Sequence, residues 1–422
     1  MMSYTKVTYL IESPYPIAEA VESLAGESST GTFVAVPHET PELKAKYANQ
    51  LLAIRPLESV ATPSLEGSRL KGGRVATQYN RAEVDIGIPF AMSGTEITTL
   101  LSAMAGNIFE LAEVSGLRLL DVEFAPEFAN AHPMPQFGIH GTRQKMAVFD
   151  RPMIGTIIKP SVGLTPEKTA EIVRELAEAG IDFIKDDELL NSPDYSPVIR
   201  RAEVIMQTIH EVAQKTGKQV MYAFNISSDD VDQMLRSHDA ILKLGGTCIM
   251  LNVNQVGVSA VKKVRQHAQL PIHGHRNGWG MMTRHPMLGF DFAVYQKIWR
   301  LAGIDHLHVN GIRNKFYESD ASVVHSIASC LKPIFNPSDC LLPVISSGQW
   351  GGQAPDTYRL TQTSDVLYLA GGGIQGHPGG ATDGVRAIQQ AWQAAIDGIP
   401  LEIYAQSHPE LAQSLQTFGG RK

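Results

Sequence analysis

Cysteine is scarce: Cys248, Cys330 and Cys340 are the only three in 422 residues. Their wide spacing suits neither a disulfide framework nor a zinc motif, and such a chain is expected in a reducing, cytoplasmic setting. Long apolar runs are missing too, so no segment is expected to span a bilayer. The opening residues, Met1-Met2-Ser3-Tyr4-Thr5-Lys6, lack the basic-then-apolar pattern of a secretory signal. Positive charge is not in excess, since the net charge is −7. Neither nucleic acid nor an anionic membrane is therefore an expected partner, and a phosphorylated ligand would need a local basic site. What is present, 422 residues with 43% hydrophobic content, suffices for two domains or a large barrel beside a smaller one.

Two patterns divide the chain near residue 135. In residues 1–135, Tyr4–Ile11 alternates like a strand, Pro16–Leu24 has helical spacing, and Thr32–Val36 reads as a second strand. Val75–Tyr79 and Ala82–Ile88 read as a strand pair about Asn80-Arg81, Glu96–Ala105 as a helix and Leu117–Phe124 as a strand. This mixture predicts an α+β, ferredoxin-like domain with helices layered on an antiparallel sheet. Residues 136–422 instead alternate short β-rich runs with helical segments. The expected strands are Met153–Ile158, Asp182–Lys185, Gln219–Asn225, Thr247–Asn252, Leu270–Gly274, His306–Val309, Pro343–Ser346 and Val366–Ala370. Expected helices include Glu167–Ala179, Pro197–Lys215, Val231–Leu244, Leu288–Leu301 and Ala381–Asp397, and a helical tail follows Pro400. Eight such units predict a (β/α)8 TIM barrel, with an open doubly wound sheet as the competing fold. The barrel is preferred because chemically capable residues end nearly every strand, where a barrel's site must lie.

The central stretch is Ala179-Gly180-Ile181-Asp182-Phe183-Ile184-Lys185-Asp186-Asp187-Glu188, an apolar run that stops at one lysine and three carboxylates. On a strand, Lys185 and Asp187 share a face. Ionisable groups at the end of a buried strand are costly unless paired or metal-bound. One reading is a Lys–Asp ion pair with solvated neighbours. The other is a hard-cation site in which Asp187 and Glu188 offer oxygens to Mg²⁺. An ammonium cannot ligate a cation, so Lys185 would join only after losing its charge, as carbamylation by CO2 would achieve.

Other strand ends have both plain and functional readings. Lys159 before Pro160 is a lone lysine or a proton donor. Asn225 is a cap or a partner for metal-bound water. His273 and His275, two apart, are a satisfied core pair or half of a zinc site. Ser346-Ser347-Gly348 and Gly371-Gly372-Gly373 are turns whose exposed N–H groups also suit an anion. In the first part, Glu27-Ser28-Ser29-Thr30-Gly31-Thr32 reads as a surface loop and Gly106-Asn107 as a helix C-terminus.

Together with Gly155-Thr156-Ile157-Ile158-Lys159-Pro160, the central stretch resembles the large chain of ribulose-bisphosphate carboxylase/oxygenase, RuBisCO. The resemblance covers nearly the whole chain and implies a set of roles. Lys185, carbamylated, binds Mg²⁺ with Asp187 and Glu188. Lys159 and His275 belong to the catalytic site, and Lys315 sits on a mobile loop over the reacting carbon. Arg276 and His308 bind phosphate, with Ser346, Gly348, Gly371, Gly372 and Gly373. Glu27, Thr32 and Asn107 complete the site of a neighbouring subunit, which implies a homodimer or an assembly of dimers.

The departures from that family fall in the reacting region. Ser161 replaces a lysine, Phe33 a tryptophan and Trp279 a histidine, and Val309–Asn314 matches the mobile loop poorly. An authentic carboxylase is therefore not expected. The chain is similar instead to RuBisCO-like proteins (form IV type), which keep the fold and usually the metal site but perform other reactions. Enolate chemistry on a phosphorylated sugar derivative follows from the resemblance. Decarboxylation, or related cleavage, of a β-keto sugar-acid phosphate such as 3-oxo-isoapionate 4-phosphate is favoured, since it would use both Lys159 and Lys315. The alternatives are an enolase or isomerase acting on a methylthio-pentyl phosphate in methionine salvage, and a non-catalytic sugar-phosphate binder.

Overall fold

The computed structural model describes residues 3–32, 34–73 and 76–420. Its first strand, β1 (Tyr4–Ser13), buries Val7, Tyr9 and Ile11 on one face, the period-two alternation read from the sequence. It pairs antiparallel with β3 (Tyr79–Pro89) and β4 (Gly116–Glu123). The sheet order is β10-β4-β1-β3-β2, with β2 spanning Gln50–Val60 and β10 spanning Leu288–Phe290. The pairing of β10 with β4 is parallel, so the sheet is mixed. One compact unit thus contains the chain up to His132 together with Gly278–Ile298.

Three local expectations are corrected here. The described part of Thr32–Val36 holds no strand, and Phe33 lies outside the described residues. The strand that sequence patterning missed is β2, whose largely exposed residues and internal Pro56 carry little alternation. Asn80 and Arg81 make no turn; they lie inside the continuous strand β3, while Val75 lies outside the described residues. Their side chains explain this, because Arg81 Nε reaches Glu12 at 2.7 Å and Asn80 Nδ2 donates to the Tyr15 carbonyl at 2.8 Å. Finally, Leu288–Leu301 is not one helix. It breaks into β10 and a helix over Phe292–Ala302, where Asp291 accepts from the Ala293 N–H at 2.9 Å.

The second unit, Pro133–Asn277 with Trp299–Lys422, holds a closed parallel barrel ordered β11-β12-β13-β5-β6-β7-β8-β9. Its strands are β5 (Met153–Ile157), β6 (Phe183–Lys185), β7 (Met221–Asn225), β8 (Cys248–Asn252), β9 (Ile272–His275), β11 (His306–His308), β12 (Leu342–Ile345) and β13 (Leu367–Leu369). Each lies within or one residue beyond the run expected for it. Alternate residues Met221 and Ala223, Cys248 and Met250, Leu342 and Val344, and Leu367 and Leu369 share one buried cluster with Met153 and Phe183. The barrel interior is therefore a filled core, which leaves chemistry to the strand ends. Gly155 on β5 shows how tight the wall is: a Cβ there would lie 2.8 Å from the Phe183 carbonyl oxygen. Helices Pro166–Glu178, Val198–Thr216, Val231–Lys243 and Ala381–Asp397 follow the expected ones closely. Those over Val253–His267, Asp320–Leu331 and Ala354–Thr361 complete the alternation.

Candidate active site

Strand β6 ends at Lys185, whose side chain is wholly buried. Its ammonium donates to the Asp186 carbonyl at 2.8 Å, lies 3.6 Å from Met250 Sδ and 3.8 Å from Glu188 Oε2. Burial pushes the Lys185 pKa down, against the opposing pull of Glu188, Asp187 and Asp186. That shift favours the uncharged amine, the form that reacts with CO2.

The three acids that follow have different fates. Asp186 turns inward: its carboxylate accepts from Arg201 Nη2 at 2.9 Å, Tyr222 Oη at 2.6 Å and the Asn225 N–H at 2.9 Å. Asp187 Oδ2 meets Lys159 Nζ at 2.7 Å, and the same ammonium donates to Ser161 Oγ at 2.7 Å. Burial alone would raise the Asp187 carboxyl, but hydrogen bonds from Lys159 and Ser161 outweigh it and hold the group below the usual range. Glu188 is half-buried, with Oε2 3.4 Å from His275 Nε2. Its backbone carbonyl accepts from Asn252 Nδ2 at 2.8 Å and Asn225 Nδ2 at 3.4 Å. Asn225 is thus occupied with the acidic segment and with Asn191, 2.6 Å away.

The histidines at β9 and β11 form a buried relay rather than a zinc half-site. His273 Nε2 lies 2.9 Å from His308 Nε2, and His308 Nδ1 lies 2.9 Å from Ser346 Oγ. Burial pushes the His273 and His308 pKa values well down, and His306 falls to about 4 for the same reason. His275 is pushed to about 3, first by burial and then by Lys185. His275 Nδ1 lies 3.3 Å from the Asn277 N–H and 3.4 Å from Asn277 Oδ1, and its Nε2 lies 3.4 Å from Glu188 Oε2.

Around the rim, Arg276 Nη2 lies 3.3 Å from Glu318 Oε2, both side chains nearly buried. Lys315 is exposed, and its backbone N–H donates to the Ser347 carbonyl at 3.2 Å. Its side chain packs over Gly348, where a Cβ would lie 3.3 Å from Lys315 Cβ. The Gly371–Gly373 turn follows β13. A Cβ on Gly371 would come 3.8 Å from Lys159 Cε, and one on Gly373 would strike Trp350 at 2.8 Å. The structure therefore brings Lys159, Lys185, Asp187, Glu188 and His275 into one contact network, with His308 and Ser346 linked to it through the imidazole stack. Glu27, Thr32 and Asn107 lie in the other compact unit, all three exposed. Glu27 ends the helix Ile17–Glu27, and Asn107 opens a 3₁₀ turn over Asn107–Glu110.

Two residues here escaped sequence reasoning. Gln375 accepts from the Lys159 N–H at 3.2 Å and donates to Thr156 Oγ1 at 3.0 Å; its place after a glycine triplet was the available signal. Glu318 lies just beyond Lys315 in a stretch with no motif, so nothing marked it.

The donor set suits a hard cation. Asp187 and Glu188 are carboxylates, a lysine ammonium already neutralises one of them, and Lys185 as a carbamate would add oxygen. Another cluster of conventional ligands, His238, Asp239 and His267, sits on the outer helices Val231–Lys243 and Val253–His267. There the Gln269 N–H donates to His238 Nε2 at 3.1 Å, which leaves the proton of a neutral His238 on Nδ1, 3.0 Å from Asp239. That arrangement is a hydrogen-bonded clamp between helices.

Comparison with known proteins agrees with this geometry. The family model described as ribulose bisphosphate carboxylase large chain, catalytic domain, matches residues 138–418, and the corresponding N-terminal domain matches 7–128. A Rhizobium etli protein named 3-oxo-isoapionate-4-phosphate decarboxylase is 49% identical over 417 residues, 99% of each chain. A Xanthobacter autotrophicus protein named 3-oxo-isoapionate-4-phosphate transcarboxylase/hydrolase is 46% identical, covering 97% of each. The crystal structure of a rubisco-like protein from Burkholderia fungorum superposes with a TM-score of 0.92 at 40% identity, covering 99% of this chain and 100% of that one.

Proposed function

This chain belongs to the ribulose bisphosphate carboxylase large-chain family, and on that premise we propose that it decarboxylates a β-keto sugar-acid phosphate, with 3-oxo-isoapionate 4-phosphate as the favoured substrate. The observation that carries the reading is the setting of Lys159. Enolisation needs a base to remove a proton from carbon, whereas loss of CO2 leaves an electron pair on carbon that needs only a proton. Lys159, ion-paired to Asp187 at 2.7 Å, is placed as a donor, and Ser161 at 2.7 Å is no second amine. That single acid suits decarboxylation.

Bound Mg²⁺, held by Asp187, Glu188 and carbamylated Lys185, would supply charge neutralisation at the keto oxygen. The His275 ring stands beside Glu188, its Nε2 3.4 Å from Oε2. Arg276, with His308, Ser346 and the N–H groups of Gly348, Gly371, Gly372 and Gly373, takes the phosphate and fixes the substrate's direction. Lys315 binds the departing carboxylate. Glu27, Thr32 and Asn107 complete the site of a second copy, making the working unit a homodimer.

The test is to supply the purified protein, Mg²⁺ and bicarbonate with 3-oxo-isoapionate 4-phosphate and follow the carboxyl carbon. Release as CO2 at a rate dependent on Lys159 supports the proposal. Hydrolytic release of another fragment would place the chain with the Xanthobacter relative's named activity instead, and recovery of unchanged substrate would rule out both.

A further inference from the structure

The ion pair between Arg276 and Glu318 belongs to a longer chain of contacts. Glu318 Oε2 accepts from Arg276 Nη2 at 3.3 Å and also from Asn310 Nδ2, and Oε1 accepts from Ser322 Oγ at 2.8 Å. The Glu318 carbonyl accepts from Asn314 Nδ2 at 3.0 Å. Asn310 Oδ1 in turn accepts from Ser347 Oγ at 2.6 Å, and the Ser347 carbonyl accepts the Lys315 N–H at 3.2 Å. Asn310 and Ser347 are both non-glycine residues in the left-handed region, with φ of +72° and +74°. Such conformations persist where surrounding contacts over-determine them, and they cluster at switching segments. The loop after β11 is therefore pinned at both ends of this chain, to Arg276 on one side and to the loop after β12 on the other.

Arg276 is the guanidinium that the proposed function assigns to the substrate's phosphate. In the structure a carboxylate already stands against it, in a nearly buried setting where like charges repel strongly. An arriving phosphate and Glu318 contend for one cation.

We infer that Glu318 is a positioning residue that acts as an anion gate. Phosphate displaces it from Arg276, and the displaced carboxylate releases Asn310 and the loop that carries Lys315. Phosphate binding and the freeing of the Lys315 loop to move then become one event, so the loop answers only to ligands that carry the phosphate. The inference rests on the reading that Arg276 takes the phosphate, and it adds the competitor and the route to Lys315.

Inorganic phosphate titrated calorimetrically into the full-length protein tests it. E318Q removes the charge and keeps the side chain's length, and it is expected to bind phosphate about tenfold more tightly than the parent, the factor that 1.4 kcal/mol of relieved competition represents. Trypsin reports the loop through Arg313 and Lys315: saturating phosphate is expected to raise cleavage there severalfold in the parent and to change nothing in E318Q. Equal or weaker phosphate binding by E318Q overturns the gate. So does parental cleavage that ignores phosphate, a result that needs no variant to fold. R276M separates the two layers. If it abolishes phosphate binding while E318Q changes nothing, the phosphate site stands and the gate falls. If R276M leaves binding intact, the phosphate assignment itself is wrong.

Discussion

Four histidines, His273, His275, His306 and His308, line the barrel's interior and mouth in neutral form, and their burial makes the fold acid-labile well above the range where carboxylates titrate. Each is held below its ordinary value, His275 at about 3 and His306 at about 4, with His273 and His308 well below 6.5. An unfolded chain protonates its histidines near pH 6.5. The native chain does not until the pH reaches the depressed values. The unfolded state therefore binds more protons between those limits, and stability must fall as pH falls from 6.5 towards 4. At pH 5.5 the linkage costs roughly 1 kcal/mol per histidine, a few kcal/mol for the four together, against almost nothing at pH 7.5. This is a large share of the roughly 5–15 kcal/mol by which proteins of ordinary stability are held. Urea unfolding followed by far-UV circular dichroism at pH 7.5, 6.5 and 5.5 measures it. His306 lies outside the proposed chemistry, and its ring contacts Thr142 Oγ1 at 2.8 Å. Replacing it by Gln is expected to remove about a quarter of the pH dependence. A stability that stays within about 1 kcal/mol from pH 7.5 to 5.5 would refute the claim that these rings are buried and neutral.

Other consequences can be measured directly. Lys185→Ala removes the lysine proposed to carry the carbamate; Mg²⁺-dependent turnover is expected to fall at least about a hundredfold, and a site carbamate carbon signal seen by NMR after ¹³C-bicarbonate loading of the parent should vanish. Arg201→Met leaves Asp186 buried with its charge uncompensated, and denaturant unfolding should show a loss of about 3–5 kcal/mol. The double variant Arg201→Met, Asp186→Asn should recover part of that loss. Gly155→Ala forces a methyl group against the Phe183 carbonyl and Leu369, and thermal unfolding should report a cost of about 1–3 kcal/mol.

The barrel was legible because its strands are short apolar runs buried on both faces, such as Met221–Asn225 and Cys248–Asn252, each closed by a polar residue. The same regularity placed Lys185, His275 and His308 at strand ends. Strand β2 escaped because its pairing with β3 at the sheet edge, rather than its own alternation, holds it in place. The distinction between Asp186 and Asp187 was equally hidden. It depends on Arg201, fifteen residues further on in a helix, which turns one carboxylate inward and leaves the next to Lys159. Glu318 could not be found by spacing, since its meaning comes from a loop folded back onto Arg276. Patterns of burial recur along a chain and can be read from it. Partnerships made by irregular backbone do not recur.

The loan of β10 to the first sheet has a consequence for biosynthesis. Residues Leu117–Leu119 of β4 find their outer partners only in Leu288–Phe290, 171 residues later. At about 5–20 residues per second, a ribosome takes roughly ten to thirty seconds to bridge that gap. Throughout that interval the nascent domain presents a bare strand edge, an inviting template for a stray chain. An isolated fragment ending near residue 132 keeps that edge bare, and it should precipitate where the full-length protein stays dispersed.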